Sequence, residues 1–219
     1  MKKITLFLVL IIAFCSCQNK KAETTIANQE IKDINEIVRT IIIQDSLDVF
    51  SEDKNSKMFC SELRRLNIYI PEKRSDGLIP PLPPRDIYIS EILTTKIKGE
   101  TFFSSKDSLY LLKQNSNPEK LKIEKELINK LNTITVEKAL IKRKKSEMFR
   151  FYEMTIPVFS LDQQNAYVQL DYHCTGLCGS GRAIYLKKIN GNWKIIQNWQ
   201  NLDKLTLKKQ TISIIYKLH

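Results

Sequence analysis

The sequence is poor in the residues on which several common functions depend. Its 219 residues include only two histidines, six glycines and two tryptophans. Long apolar runs are also missing, since the longest, residues 4–14, is short and is interrupted by Thr5. At 1.5 Å per residue, a helix of that length spans about 16 Å, roughly half of a bilayer core. This run is therefore too short for a stable membrane span and is typical of the core of a signal peptide.

The scarcity of histidine and glycine argues against the common catalytic motifs. A Ser-His relay would depend on His173 or on His219, the two histidines of the chain. The segment GSGRAI at 179–184 has isoleucine at the third glycine position of the dinucleotide fingerprint and precedes a predicted strand, whereas that motif opens a helix. Ser180 is not in a Gly-x-Ser-x-Gly elbow, because residue 178 is cysteine. We therefore predict a non-catalytic binding or structural role without a cofactor. An envelope hydrolase that acts in a cavity of the sheet is the alternative.

The N-terminus has the pattern of an export signal. Two lysines precede the apolar run, and Ser16 stands immediately before Cys17. This arrangement resembles a bacterial lipoprotein lipobox, with Phe14 where the family pattern has leucine. The resemblance implies that a signal peptide covering residues 1–16 is removed and that Cys17 carries the lipid. The alternative is an ordinary secretory signal that happens to contain a cysteine.

A lipidated Cys17 sets the expected location of the protein. Stable anchoring needs two or more acyl chains, because each buried CH2 contributes only about 0.8 kcal/mol. Residues 17–28 are polar, lack apolar periodicity and are predicted to tether the lipid to the folded part. We expect a protein of the bacterial cell envelope that is held by its lipid on a membrane. The expected site is the outer membrane, on its periplasmic or surface side.

The charge of the chain bears on its partners. The net charge is +11, and removal of Lys2 and Lys3 with the signal peptide leaves +9. Such a surface attracts anionic lipid head groups and other polyanions. The densest basic run, KRKK at 142–145, has no interleaved aromatic residues, whereas a nucleic-acid groove combines charge with stacking platforms. The expected partners are the membrane, through the lipid, and an envelope protein or polyanionic surface, but not nucleic acid.

The first part of the folded chain is predicted to be mainly helical. Apolar residues spaced by three and four indicate an amphipathic helix at 29–49, with Asn28 as its N-cap. Residues 58–70 suggest a short helix followed by a strand, and a further helix is predicted to begin at Asn117. Four prolines within 78–85 favour an extended connector between structural units.

From Met148 the apolar period changes to two, which indicates β-strands. Four such runs follow, and Asn190-Gly191 separates the last two. Asn-Gly is the strongest short-range signal for a two-residue hairpin, because both turn residues adopt positive φ. We predict a single α+β domain over 29–219, in which helices cover one face of an antiparallel meander at 148–200. By analogy, the architecture would be a cystatin-like or nuclear-transport-factor-like cone.

Part of this meander carries a second resemblance. Residues 159–195 combine a Ser-x-Asp turn, an Ala-Tyr-Val strand, a glycine-containing Cys-x3-Cys loop and a final strand with a Gly-x-Trp-Lys pattern. This combination is similar to the C-terminal pattern of a family of uncharacterised bacterial lipoproteins, with Thr175 where that family usually has glycine. The resemblance covers this segment only. It implies an envelope lipoprotein and no particular activity.

Three cysteines, Cys60, Cys174 and Cys178, remain after lipid attachment and processing. Exported proteins meet oxidising conditions, so pairing is expected. A continuous strand would separate the α-carbons of Cys174 and Cys178 by about 13 Å, whereas a disulfide needs about 4.4–6.8 Å. A bridge between them requires a turn, which Gly176 and Gly179 permit. We favour this pair, and a bond from Cys60 to either loop cysteine is the alternative.

The same loop offers two other chemistries. His173, Cys174 and Cys178 could ligate a metal ion such as copper. However, adjacent strand residues point to opposite faces, so His173 and Cys174 would converge only beyond the end of the strand. A thioredoxin-type redox site has two residues between its cysteines and a helix after them, whereas this loop has three and leads into a predicted strand. We predict no resident metal and keep metal binding by this loop as an alternative.

Overall fold

The structure is a computed structural model that describes residues 28–51, 56–114, 121–145, 147–175 and 178–200, without the side chains of residues 199 and 200. These residues do not include the predicted signal peptide, the predicted lipidation site Cys17 or nearly all of the predicted tether. Within the described part of the chain, no helix combines the length and the apolar character needed to cross a bilayer.

The molecule is built on one seven-stranded mixed sheet. Its strands, in spatial order, are β11 (Asn192–Gln200), β10 (Ser180–Ile189), β9 (Asn165–Cys174), β7 (Arg150–Met154), β1 (Met58–Cys60) and β6 (Thr133–Ile134), and β8 (Val158–Phe159) also pairs with β9. Two small sheets are formed by β2 (Ile68–Tyr69) with β3 (Ile87–Tyr88) and by β4 (Lys96–Ile97) with β5 (Glu100–Thr101). The helices are α1 at residues 28–44, α2 (Ile89–Leu93), a 3-10 turn (Ser105–Asp107), α3 (Ser108–Lys113), α4 (Lys125–Ile128) and α5 (Val136–Lys144).

The predicted antiparallel meander is confirmed. Strands β9, β10 and β11 are consecutive antiparallel neighbours, and β7 pairs with β9 on its other side. The first predicted strand is divided into β7 and β8 around Pro157, because proline has no N–H to donate to a ladder. Asn190 and Gly191 have φ of 52° and 79°, as the hairpin prediction required. The α+β class is therefore confirmed, with a sheet that is antiparallel over most of its strands.

Helix α1 packs its apolar face against one face of this sheet. The helix buries five side chains in the core that also contains Leu186 and Trp193 of the meander: Ile34, Ile37, Val38, Ile41 and Ile42. Polar groups support the same contact, since Asp33 Oδ1 accepts from Lys188 Nζ at 2.7 Å and from Trp193 Nε1 at 3.2 Å. The first described helix is thus joined to the last two strands of the described residues.

The apolar pattern predicted that the first helix ends at residue 49, but helix α1 ends at residue 44. Ser46 adopts φ of 50°, and the N–H groups of Leu47 and Ser46 donate to Ile42 O at 2.9 Å and to Ile43 O at 3.2 Å. These two bonds form a Schellman motif, which satisfies the last carbonyls of the helix. At the other end, Asn28 is already inside the helix, so its predicted role as N-cap is wrong.

Of two other predicted helices, the one within 58–70 is absent, and the one from Asn117 is present only in part where the structure describes it. The segment 58–70 opens with β1, buried between β7 and β6, and only its predicted strand is present, as β2. The helix predicted from Asn117 begins outside the described residues, and α4 is the helical part of its remainder. In that remainder, Leu121 O accepts from Leu63 N at 2.9 Å. At Leu121 the chain therefore bonds to a distant segment, whereas from Glu124 onward it forms local turns.

The opposite face of the sheet carries two separate structures. At one end, Tyr167 and Tyr185 pack in a second core with α2 and α3. At the other, α5 packs Ala139 against Phe151 of β7. The Pro-rich connector at 78–85 has no helix or strand, is largely exposed and leads into β3. The space beside α5 is the candidate site described next.

Candidate ligand-binding site

A cavity of about 510 Å3 opens between α5, β7 and the end of β9. The apolar part of its lining consists of Val136, Ala139, Leu140, Phe149 and Phe151. The ionisable part consists of Arg85, Arg143, Glu147, Glu153 and His173, and the remaining lining residues are Cys174, Thr175 and Gly179. A volume of this size lies within the usual range for small-molecule sites, which is about 300–1,000 Å3.

Alternation along the strands places several polar side chains on the face that carries the cavity. Gln169, Asp171 and His173 are every second residue of β9, so they point to one side of the sheet. On β7, Glu153 is the register partner of Asp171, and Phe151 is that of His173. Neighbouring strands thus bring two carboxylates and an imidazole to one place.

Two arginines from outside the meander complete what we call the charged cluster: Arg64, Arg85, Glu153, Asp171 and His173. Arg64 follows β1 and forms a parallel bridge with Thr155, just after β7. Its Nη2 donates to Asp171 Oδ2 at 3.4 Å, and its Nε lies 3.8 Å from Glu153 Oε2. The short strand β1, which the sequence did not predict, therefore positions one of the two cations.

Arg85 is carried by the Pro-rich connector, which was interpreted from the sequence only as a spacer. Its φ of 76° is uncommon for a residue other than glycine and occurs at the turn between the connector and β3. Its Nε donates to Asp171 Oδ2 at 2.9 Å, and its Nη2 contacts both Glu153 Oε2 and His173 Nε2. These charge-assisted bonds offset the backbone cost of the turn.

His173 lies where the charged cluster meets the cavity. Its Nε2 is 3.3 Å from Glu153 Oε2, and its ring stacks on Phe151 with the ring centroids 4.6 Å apart. The side chains of His173 and Arg85 are 29% and 34% exposed, whereas that of Glu153 is only 8% exposed. His173 and Arg85 are therefore the members of the cluster that a molecule in the cavity contacts most readily.

The surroundings of Glu153 favour its ionised form. Burial raises the pKa of Glu153, but the hydrogen bond with His173 and the charges of Arg85, His173 and Arg64 lower it by more. The pKa of Glu153 therefore lies below the ordinary value for a glutamate. Two guanidinium groups thus face two carboxylates, and the charged cluster sums to zero when His173 is neutral.

Three residues of the charged cluster offer atoms of the kind that bind metals, but these atoms already contact the two arginines. One ligand atom each from Glu153, Asp171 and His173 lies within 4.8 Å of the other two. Arg64 and Arg85 bind both carboxylates, and Arg85 Nη2 also contacts His173 Nε2. A cation that entered would have to displace two guanidinium groups. These residues therefore fit an ion-pair network better than a metal centre.

The cysteines considered above as alternative metal ligands form a disulfide. Cys174 and Cys178 are bonded, with their α-carbons 5.9 Å apart, so neither sulfur is a thiolate. Gly176, one of the glycines invoked for this turn, lies outside the described residues. His173 directs Nε2 toward Glu153. The structure thus places His173 in the charged cluster and the two cysteines in a covalent staple beside the cavity.

The nucleophile-bearing side chains near the cavity are buried or engaged. Cys60 is a free, fully buried thiol that packs against Ala139, and burial raises its pKa to about 11, so it stays protonated at neutral pH. Thr175, which carries the one hydroxyl of the described lining, accepts from Phe149 N at 3.0 Å and donates to Glu147 O at 3.3 Å. Neither group is free to attack a bound substrate.

Sequence reasoning named His173 and the loop cysteines but missed the rest of the charged cluster. A signal for Asp171 was present, because Asp171 and His173 are two residues apart in a predicted strand and so share a face. Glu153 was also the one carboxylate in a predicted strand made mainly of bulky apolar residues. No comparable signal marks Arg64 or Arg85, since each lies in an irregular segment.

The fold and the site together define a class: an α+β domain with a cavity beside a partly buried ion-pair cluster. Comparison with known proteins finds no matching family model, no matching curated protein and no matching solved structure. The evidence on function therefore comes from the geometry and chemistry of the cavity itself.

Proposed function

We propose that the protein is a lipid-anchored protein of the cell envelope whose α+β domain is a non-catalytic module for binding a small ligand. The observation that carries this proposal is the cavity beside α5, which is open, partly apolar and bounded by ionisable side chains. A mostly apolar cleft with a few placed polar groups is the usual form of a small-molecule site.

The charged cluster supports binding in preference to catalysis. General bases and nucleophiles must be free to accept a proton or to attack. Here the carboxylates of Glu153 and Asp171 are paired with two arginines, and the Cys60 thiol is buried. The ion pairs instead hold Arg85 and His173 in fixed orientations at the wall of the cavity.

The anchoring part of the proposal rests on the sequence. A lipid on Cys17, with residues 1–16 removed, would attach the domain to an envelope membrane. The predicted tether, residues 17–28, reaches at most about 40 Å when fully extended. The domain would therefore remain close to the membrane surface. The basic run at 142–145, at the end of α5, is the part of the domain best suited to an envelope protein or polyanionic surface as partner.

For the finer architecture, we keep the cystatin-like or nuclear-transport-factor-like cone as a proposal. Two features support it. One long helix, α1, packs on one face of an antiparallel meander, and a cavity lies on the other face. The strands β1 and β6 extend the sheet beyond the meander by parallel pairing, which is an addition to the predicted order of elements.

A substitution that fills the cavity tests whether the cavity binds a ligand. Leu140 lines the cavity from α5 and is 52% exposed, so Leu140→Trp adds bulk there without disturbing the core. Leu109→Trp on α3 is the matched control, because Leu109 is 68% exposed and lies outside the lining. Ligand-observed NMR with a set of small acids, amines and neutral aromatic compounds should show binding to the wild type and to Leu109→Trp, but not to Leu140→Trp. Equal binding to all three, or none to the wild type, would contradict the proposal.

An envelope hydrolase is the second candidate, and one observation favours it. Glu153 Oε2 approaches His173 Nε2 to 3.3 Å beside the cavity, and an acid–histidine pair can serve as a general base. This candidate predicts hydrolysis of p-nitrophenyl esters that His173→Gln abolishes. The binding proposal predicts the same background rate for the wild type and for His173→Gln.

A further inference from the structure

The cavity also points to the chemistry of its ligand. We propose that it binds a small organic anion, whose charged head group contacts Arg85 and Arg143 and whose apolar body lies against α5 and the wall phenylalanines. This inference rests on the proposed binding function and adds the class of ligand to it.

The charges around the cavity leave one cation uncompensated. The arginines and carboxylates of the charged cluster neutralise one another. Elsewhere in the lining, Glu147 Oε2 lies 3.4 Å from Lys142 Nζ and is paired as well. Arg143 lines the cavity, and its guanidinium group has no hydrogen-bond or ion-pair partner among the described residues. The lining therefore favours a negatively charged ligand over a neutral or positive one.

Arg85 has hydrogen-bonding capacity left over. Its Nε and Nη2 are used by the charged cluster, while its Nη1 has no partner among the described residues. The contacts with Glu153 and Asp171 fix the plane of the guanidinium group. Nη1 can therefore donate a charge-assisted hydrogen bond to an oxygen of a carboxylate or phosphate. Arg85 is thus pre-oriented for an anionic head group.

The apolar lining requires that the anion also has an apolar body. Val136 and Leu140 are one helical turn apart on α5 and are 40% and 52% exposed. Across the cavity, the rings of Phe149 and Phe151 lie 5.9 Å apart. A hydrocarbon or aromatic group would remove this surface from water, which favours binding. Inorganic phosphate would leave the same surface uncovered.

This chemistry has two possible sources, a free organic acid and the head group of an anionic lipid. Both present an anion next to apolar atoms. The basic residues at the end of α5 and the predicted lipid anchor place the cavity in reach of either source. The test therefore needs one arm for each.

The first arm uses 4-phenylbutyrate and its neutral amide as probes. The full lipidated protein is held in phosphatidylcholine nanodiscs and titrated by calorimetry, with Leu140→Trp as the reference that subtracts partition into lipid. We expect the acid to bind the wild type at least about tenfold more tightly than the amide, because the amide lacks the charge-assisted bonds. Arg143→Gln should weaken binding of the acid by about tenfold. Lys144→Gln, on the same helix and outside the lining, should not.

The outcomes separate this inference from the binding proposal. Equal affinity for acid and amide, lost in Leu140→Trp, would overturn the anion and leave the binding module standing. No heat beyond the Leu140→Trp reference for either probe would overturn both. In the second arm, phosphatidylglycerol replaces part of the phosphatidylcholine. A fall of about tenfold in the apparent affinity for 4-phenylbutyrate assigns the site to a lipid head group. An unchanged affinity assigns it to a free acid.

Discussion

Glu153 is ionised at neutral pH although it is buried, and burial disfavours a carboxylate charge. Its side chain is 8% exposed, and burial alone raises its pKa. Its hydrogen-bond and charge partners, Arg85, Arg64 and His173, more than offset that effect and leave the pKa below the ordinary value. Ionised Glu153 therefore stabilises the fold at pH values above its unfolded-state pKa. This contribution is lost as the pH falls through the lower, folded-state pKa.

We expect Glu153→Gln to reduce this pH dependence. Near neutral pH the variant should be less stable by about 1–3 kcal/mol, because the arginines lose a charged acceptor. Below about pH 5 the wild type should lose stability faster, so the difference in unfolding free energy should narrow. Urea denaturation of both proteins at several pH values measures this difference in unfolding free energy. Glu126→Gln, which removes the exposed partner of Lys130, should show no narrowing. A constant difference for Glu153→Gln over the whole range would contradict the expectation.

The residues of the charged cluster were only partly predictable. Asp171 and His173 share a strand face, which the alternation rule gives directly. Their partners Arg64 and Arg85 lie 107 and 86 residues from Asp171. Pairing between residues so far apart in the sequence depends on how separate segments pack. The local spacing of residues does not predict it. The cavity escaped prediction for the same reason, because α5 and the connector both border it.

At the level of elements, the sequence predicted what is local and periodic. Helix α1 and the meander from β7 to β11 repeat their apolar pattern over enough residues for the period to be read. The strands β1 and β6 have three and two residues, so they show no period. Their parallel pairing is specified by residues far apart in the chain. The helix predicted from Asn117 failed where contacts with other segments replaced the helical bonds.

The hairpin between β10 and β11 should depend on Gly191. Its φ is 79°, and a Cβ at this position would meet no heavy atom within 4 Å, so the cost of substitution is conformational. We expect Gly191→Val to lower the unfolding free energy by about 1–3 kcal/mol, since a β-branched residue is strained at positive φ. Gly191→Asn should cost less, because asparagine tolerates this region. Chemical denaturation compares the two, and an unshifted midpoint for Gly191→Val would count against the strain argument.

For the whole molecule, attachment to the membrane should depend on Cys17. In cells grown with a labelled fatty acid, Cys17→Ala should leave the protein unlabelled and either unprocessed or released from the membrane. Cys15→Ala should keep the label, because the predicted signal peptide carries that cysteine away. The residues concerned lie outside the described domain, so both variants should unfold at the same denaturant concentration. Unchanged labelling of Cys17→Ala would remove the basis for the anchor.

The contact of α1 with the last strands has a consequence for how the chain is made. Asp33 lies 155 residues before Lys188 and 160 before Trp193, its partners in the folded protein. At about 5–20 residues per second, a ribosome needs roughly 8 to 30 s to add that many residues. During this time the isoleucines of α1 have no sheet to cover them. The nascent chain must therefore be kept from aggregating until β11 is complete, because its core cannot close before then.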